Sequence, residues 1–88
     1  MASNFQNKLI RQYKADGWLV IKTIRLSENG FPDLFCFRDG VAIFVECKEG
    51  RDTIKPLQIH RIDQLIKQGF EAKCLHETKG QIYPLLKK

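Results

Sequence analysis

A single α/β domain is the fold class this sequence predicts, and three observations predict it. The chain has 88 residues, enough for one domain and no more. Two stretches, one opening the chain and one following Pro56, place apolar residues at helical spacing. Short apolar runs rich in β-branched and aromatic residues, bounded by turn residues, account for most of the remainder. The predicted order is α-β-β-β-α-β in one domain over residues 1–88, with no internal repeat, low-complexity tract or long linker.

In the first helix Ser3 is a good N-cap, and Gln6 three residues later completes a capping-box pattern. Phe5, Leu9, Ile10 and Tyr13 keep helical spacing until Asp16-Gly17 stops the run. Trp18 to Ile24 is apolar and β-branched enough for a strand, and Leu26 to Gly30 reads as a loop. Leu34-Phe35-Cys36-Phe37 and Val41 to Val45 then flank Arg38-Asp39-Gly40, the clearest local signal in the chain. Asp-Gly between such runs predicts a hairpin with a two-residue type I′ turn. After a polar loop from Gly50 to Lys55, Pro56 suits the first position of a second helix. Its apolar residues Ile59, Ile62, Leu65 and Ile66 continue to Gly69, and Glu71 to Leu75 is a short strand. The tail from Gly80 to Lys88 adds either a strand or a short helix through Ile82-Tyr83-Pro84-Leu85-Leu86.

A domain of this size buries only roughly 60–65% of its unfolded surface, so its core is thin and a partner copy would add stability. Fifteen Lys and Arg against ten Asp and Glu leave a formal charge of +5. That excess favours polyanionic partners such as nucleic acid. The three cysteines, Cys36, Cys47 and Cys74, are odd in number and lack C-x-x-C spacing, which argues against a disulfide framework and a zinc site. Cys36 and Cys47 fall in apolar strand patterns, where a buried reduced thiol is expected. No signal peptide opens the chain and no apolar run approaches ~18 residues. A reducing, cytosol-like compartment is therefore expected, without a membrane. His60 and His76 have no metal-ligand partners in the sequence and read as surface residues.

The hairpin turn also dictates a register. With Asp39-Gly40 as the two turn residues, Arg38 faces Val41 and opposed residues have numbers that sum to 79. Asp33 then lies across from Glu46 on one face of the sheet, with β-carbons about 4.5–5.5 Å apart. Alternation places Lys48 on that face, one step beyond Glu46. Opposed like charges destabilise a sheet, and one of two close carboxylates resists ionising. Phe35, Phe37, Ala42 and Phe44 share the face and make it apolar, which sharpens the conflict. A divalent cation resolves it. Two carboxylates and a backbone carbonyl are hard oxygen ligands that suit Mg²⁺, with waters and a phosphate completing the shell. Such an ion activates water and polarises a phosphoryl group, and Lys48 can orient that water or offset charge on the phosphate. The plainer alternative is a strand-start residue after Pro32 and a solvated strand face.

Gln58 lies on the flank of the second helix that faces the sheet, at helical spacing from Ile62 and Leu65. It reads equally as an amide for a metal-bound water or phosphate oxygen and as a helix-start residue bonding free backbone amides. Arg51, Lys55 and Arg61 cluster near the same loop and helix start, where they suit a nucleic-acid backbone or simple solvation.

Taken together, Gly30-Phe31-Pro32-Asp33, Val45-Glu46-Cys47-Lys48 and Lys55-Pro56-Leu57-Gln58 resemble the PD-(D/E)xK nucleases. More narrowly, the chain resembles the VRR-NUC family in its compact stand-alone phage and bacterial form, from the first helix to about Leu75. The resemblance implies a restriction-endonuclease-like core, a central mixed sheet flanked by helices, and Mg²⁺- or Mn²⁺-dependent cleavage of DNA. It implies Asp33, Glu46 and the Cys47 carbonyl as metal ligands, Lys48 as the catalytic lysine and Gln58 as a supporting glutamine. Stand-alone members resemble Holliday-junction resolvases and act as homodimers, so branched DNA and a homodimer are implied, in the cytoplasm of a bacterium or phage-infected host. Relatives often carry a glutamate in the first helix near the metal; here Gln6 stands nearest, either as a ligand through its amide oxygen or only in its capping box. That departure favours one firmly held ion. The alternatives are a non-catalytic or partner-dependent nucleic-acid-binding module and, last, a sequence-specific endonuclease.

Overall fold

The computed structural model describes residues 4–85. Helix α1 (Asn4–Ala15) is followed by strands β1 (Leu19–Lys22), β2 (Leu34–Arg38) and β3 (Val41–Lys48). Helix α2 (Pro56–Lys67), β4 (Glu71–His76) and β5 (Gly80–Tyr83) complete the order. The strands form one mixed sheet in chain order, β1-β2-β3-β4-β5. Every neighbouring pair is antiparallel except β3 and β4, which α2 connects as a parallel crossover. No helix of the described residues is long and apolar enough to cross a membrane.

The β2–β3 hairpin forms as its turn dictates. Asp39 and Gly40 both take positive φ, 51° and 77°, as a type I′ turn requires. Arg38 pairs with Val41 and Leu34 with Val45, the predicted register throughout. Side-chain alternation then sends the two sheet faces to different helices. One face packs Leu34, Cys36 and Val45 against Leu9 and Trp18. The other packs Phe44, Ala72 and Cys74 against Ile62 of α2, with Phe35 and Ala42 beside them. Phe35, Phe37 and Phe70 each meet Phe44 edge to face.

Several boundaries differ from the sequence reading, each for a tertiary reason. β1 spans Leu19–Lys22 rather than Trp18 to Ile24, because its partner strand β2 begins at Leu34, opposite Lys22. β3 runs on to Lys48, since Glu46, Cys47 and Lys48 pair with Cys74, Leu75 and His76 of β4. The tail resolves into β5, a strand pairing with β4. The Ser3 cap and Leu86 lie outside the described residues.

His76 is not a surface residue but 4% exposed, at the end of β4 beside Lys48. Its Nδ1 accepts the backbone N–H groups of Thr78 (3.2 Å) and Lys79 (3.3 Å), which puts the ring proton on Nε2. Nε2 donates it to the Gly50 carbonyl at 2.8 Å. Glu77 adds two bonds to the same segment: its N–H reaches the Lys48 carbonyl at 3.0 Å, and its Oε1 accepts the Gly50 N–H at 2.9 Å. The loop leaving β3 is therefore tied to the β4–β5 turn.

Candidate active site

Asp33 stands one residue before β2, behind the fully buried Pro32. Its backbone is anchored by Thr23, whose N–H bonds the Asp33 carbonyl at 2.8 Å and whose hydroxyl lies 3.0 Å from the Pro32 carbonyl. The β2–β3 ladder ends at Leu34 and Val45, and the Asp33 side chain continues it: Oδ2 accepts the Cys47 N–H at 3.0 Å. That bond turns the carboxylate across the gap toward β3, where Glu46 points from the α2 face of the sheet.

Glu46 is 4% exposed. Burial, then the charge of Asp33, lifts its carboxyl from 4.5 to about 7, with Lys48 opposing the rise. Two groups steady its Oε2: the Lys48 ammonium at 3.4 Å and the Gln58 amide nitrogen at 3.2 Å. Lys48, also 4% exposed, sits between Glu46 and Asp52, whose Oδ2 is 3.5 Å from Nζ.

Gln58 takes the helix-start role, and the free end of its amide turns to Glu46. Its Oε1 accepts the Lys55 N–H at 2.9 Å at the start of α2, while its NH₂ donates to Glu46. The helix-start bond fixes which end of the amide faces the carboxylate. The structure thus brings together Asp33, Glu46, Lys48 and Gln58, with exposed Arg51 and Lys55 on the adjoining loop.

Arg61 is not brought to that mouth. Its Nε bonds the Asn29 carbonyl at 2.8 Å, one terminal nitrogen bonds Gln64 at 2.9 Å, and the guanidinium stacks 4.9 Å from the Phe31 ring. It clamps the loop before β2 onto α2, where a planar fork of donors fits better than an ammonium. Gln6 is buried on α1, in the stripe that includes Leu9.

Asp52, Thr23, His76 and Glu77 escaped sequence reasoning. Asp52 is four residues from Lys48, but that spacing carries no geometry through a loop. His76 becomes visible only with the β3–β4 register, which pairs it with Lys48.

The donor set fits a hard divalent cation. Among the described residues no group of three or more His, Cys, Asp or Glu comes together as a metal-ligand cluster. Asp33 and Glu46 instead offer a close carboxylate pair whose mutual repulsion a cation relieves, leaving other positions for waters and phosphate, the pattern of Mg²⁺. Burial pushes the Cys36 thiol up to about 11 and that of Cys74 to about 12, and raises Cys47 further.

A family model described as VRR-NUC domain matches residues 2–78, a span that includes α1 through β4 and every residue of the site. A solved structure described as a VRR_NUC domain is similar at a TM-score of 0.70 and 28% identity, over 80% of this chain and 77% of that one. No curated protein matches the sequence.

Proposed function

The chain belongs to the VRR-NUC domain family, a nuclease-type fold for nucleic-acid processing, and we propose that it is a metal-dependent, structure-selective DNA endonuclease. The observation that carries this reading is the convergence on one buried carboxylate: Glu46, its carboxyl raised by burial and by the charge of Asp33, with Lys48 at 3.4 Å and Gln58 at 3.2 Å. A solvated strand face does not bury an acid beside a second, half-buried one, and nucleic-acid binding alone does not require it.

In this reading Asp33, Glu46 and the Cys47 carbonyl hold Mg²⁺ or Mn²⁺, with Gln6 supporting the site from α1. The bound ion supplies a water of lowered pKa and polarises the phosphoryl oxygens. Lys48 holds the attacking water and offsets charge developing on the phosphate. Gln58 keeps the Glu46 carboxylate in one orientation. Arg51 and Lys55 grip the neighbouring phosphates at the mouth. The preference for branched DNA, resembling that of a Holliday-junction resolvase, goes with a homodimer whose two centres reach two strands. An exposed apolar face on β1 and β2, formed by Leu19, Ile21 and Phe37, supports a second copy.

The test is cleavage of four-way junction, flap, single-stranded and duplex DNA with Mg²⁺, Mn²⁺ or EDTA, alongside native mass. Cation-dependent nicking strongest on a branched substrate is expected. Lys48→Ala is expected to remove it, by at least about 10²-fold, while retaining DNA binding. Full activity in that variant, or activity in EDTA, overturns the mechanism.

A further inference from the structure

The loop between β1 and β2 carries an apolar residue that the rest of the fold leaves in water. Ile24 is 92% exposed, more than any other large apolar side chain of the described residues. Single exposed apolar residues are ordinary on protein surfaces. Three features set this one apart.

Its base is held rigidly to the candidate centre. Thr23, the residue before it, bonds the carbonyls of Asp33 and Pro32 through both its backbone and its hydroxyl. The far end of the loop is held as firmly. Arg61 bonds Asn29 and stacks on Phe31, and Gly30 lies so close to α2 that a β-carbon there would stand 2.6 Å from Leu57 Cγ. An arm fixed at both ends thus presents Ile24 at a position set by Asp33.

A cation stands close to Ile24 along the chain on either side. Lys22 and Arg25 are both exposed, and the side chain of neither forms an ion pair or hydrogen bond with another described residue. The space beside them belongs to the same place: a cavity of about 420 Å³ is lined by Thr23 through Phe31 together with Asp33. An apolar tip flanked by cations suits a base step between two phosphates. Proteins that part stacked bases insert apolar side chains of this kind and hold the backbone with basic ones.

We infer that Ile24 is a wedge that enters a base step at a DNA branch point beside the scissile phosphate, with Lys22 and Arg25 holding the flanking phosphates. The inference rests on the nuclease reading and deepens it, because it names the source of structure selectivity. A branch point has already lost part of its stacking, so a single wedge opens it more readily than continuous duplex. The expected preference is for junctions and flaps whose branch lies one or two steps from the cut.

Two measurements test it. The first compares cleavage of branched and single-stranded DNA by Ile24→Ala, Ile24→Leu and the unaltered protein. Ile24→Ala is expected to lower the branched-to-single-stranded ratio about tenfold, and Ile24→Leu to restore most of it. The second places 2-aminopurine beside the branch of a four-way junction and uses the Lys48→Ala protein with Mg²⁺. Binding is expected to raise the fluorescence with Ile24 present and not in the Lys48→Ala, Ile24→Ala double variant. Arg25→Ala is expected to reduce the salt dependence of junction binding by about one phosphate contact.

An equal fall in cleavage of both substrates overturns the wedge. So does a fluorescence rise that survives Ile24→Ala, or no rise with Ile24 present. A change of native mass in Ile24→Ala also overturns it, by placing the residue between copies of the chain. If the unaltered protein cuts nothing, the nuclease reading falls and the fluorescence measurement still decides the wedge.

Discussion

Replacing Glu46 with glutamine should stabilise the metal-free protein while removing its activity. The carboxyl is raised from 4.5 to about 7 by burial and by Asp33. The folded chain therefore holds this proton more tightly than the unfolded chain does. The contribution of Glu46 favours folding below about pH 4.5 and is lost as pH rises through about 7. At roughly 1.4 kcal/mol per pH unit, the loss approaches about 3 kcal/mol by pH 8. The side chain is 5% exposed, so solvent screening reduces this little. Glutamine has nearly the same shape, and its NH₂ is a neutral donor to set beside Asp33. Its oxygen remains an acceptor for Gln58 and Lys48. In EDTA at pH 8, Glu46→Gln should therefore melt higher by roughly 10–20 °C for a domain of this size. The gain should shrink to near zero at pH 4.5. Adding Mg²⁺ should raise the Tm of the unaltered protein and leave the variant unmoved. A variant that melts no higher at pH 8, or a gap of equal size at both pH values, refutes the account of Glu46 as a strained carboxylate kept for a cation.

Two further predictions concern the loop that carries Ile24. Arg61→Lys should cost about 1–2 kcal/mol, because an ammonium cannot bond Asn29 and Gln64 while stacking on Phe31. Amide exchange should accelerate across residues 24–31, whereas a residue serving only as a phosphate contact would change the salt dependence of binding instead. Gly30→Ala should cost about 2–4 kcal/mol, combining a φ of +86° with a β-carbon 2.6 Å from Leu57 Cγ. Gly40→Ala, with a φ of +77° and open space around it, should cost only about 1 kcal/mol in the same urea titration. Equal losses at the two glycines would remove the seat of the loop on α2.

The parts of this molecule legible in the sequence are those governed by local chemistry. Asp39-Gly40 specifies a turn in which both residues need positive φ, and that turn alone determines which residues of β2 and β3 face each other. The meeting of Asp33 with Glu46 follows, as does the placing of Lys48. Pro56 and the spacing of Ile59, Ile62 and Leu65 likewise locate α2 and turn Gln58 toward the sheet. What escaped depends on contacts between distant segments. The β3–β4 register is set by how α2 packs, so neither the pairing of Lys48 with β4 nor the burial of His76 has a local signature. Helical spacing places Arg61 near a loop. Which loop it reaches depends on the path from Thr23 to Asp33, and no periodicity describes that path.

Gln58 carries an implication for which amino acids this chain can tolerate. The position requires an acceptor aimed at the Lys55 N–H and a donor aimed at Glu46, on a stem long enough to reach both. Glutamate offers the acceptor without the donor, lysine and arginine the reverse, and asparagine falls a methylene short. A saturation library at this codon should return glutamine almost alone when cleavage is selected. Under selection for folding alone it should return a broader set, and the difference would separate what the position does for the helix from what it does for the carboxylate.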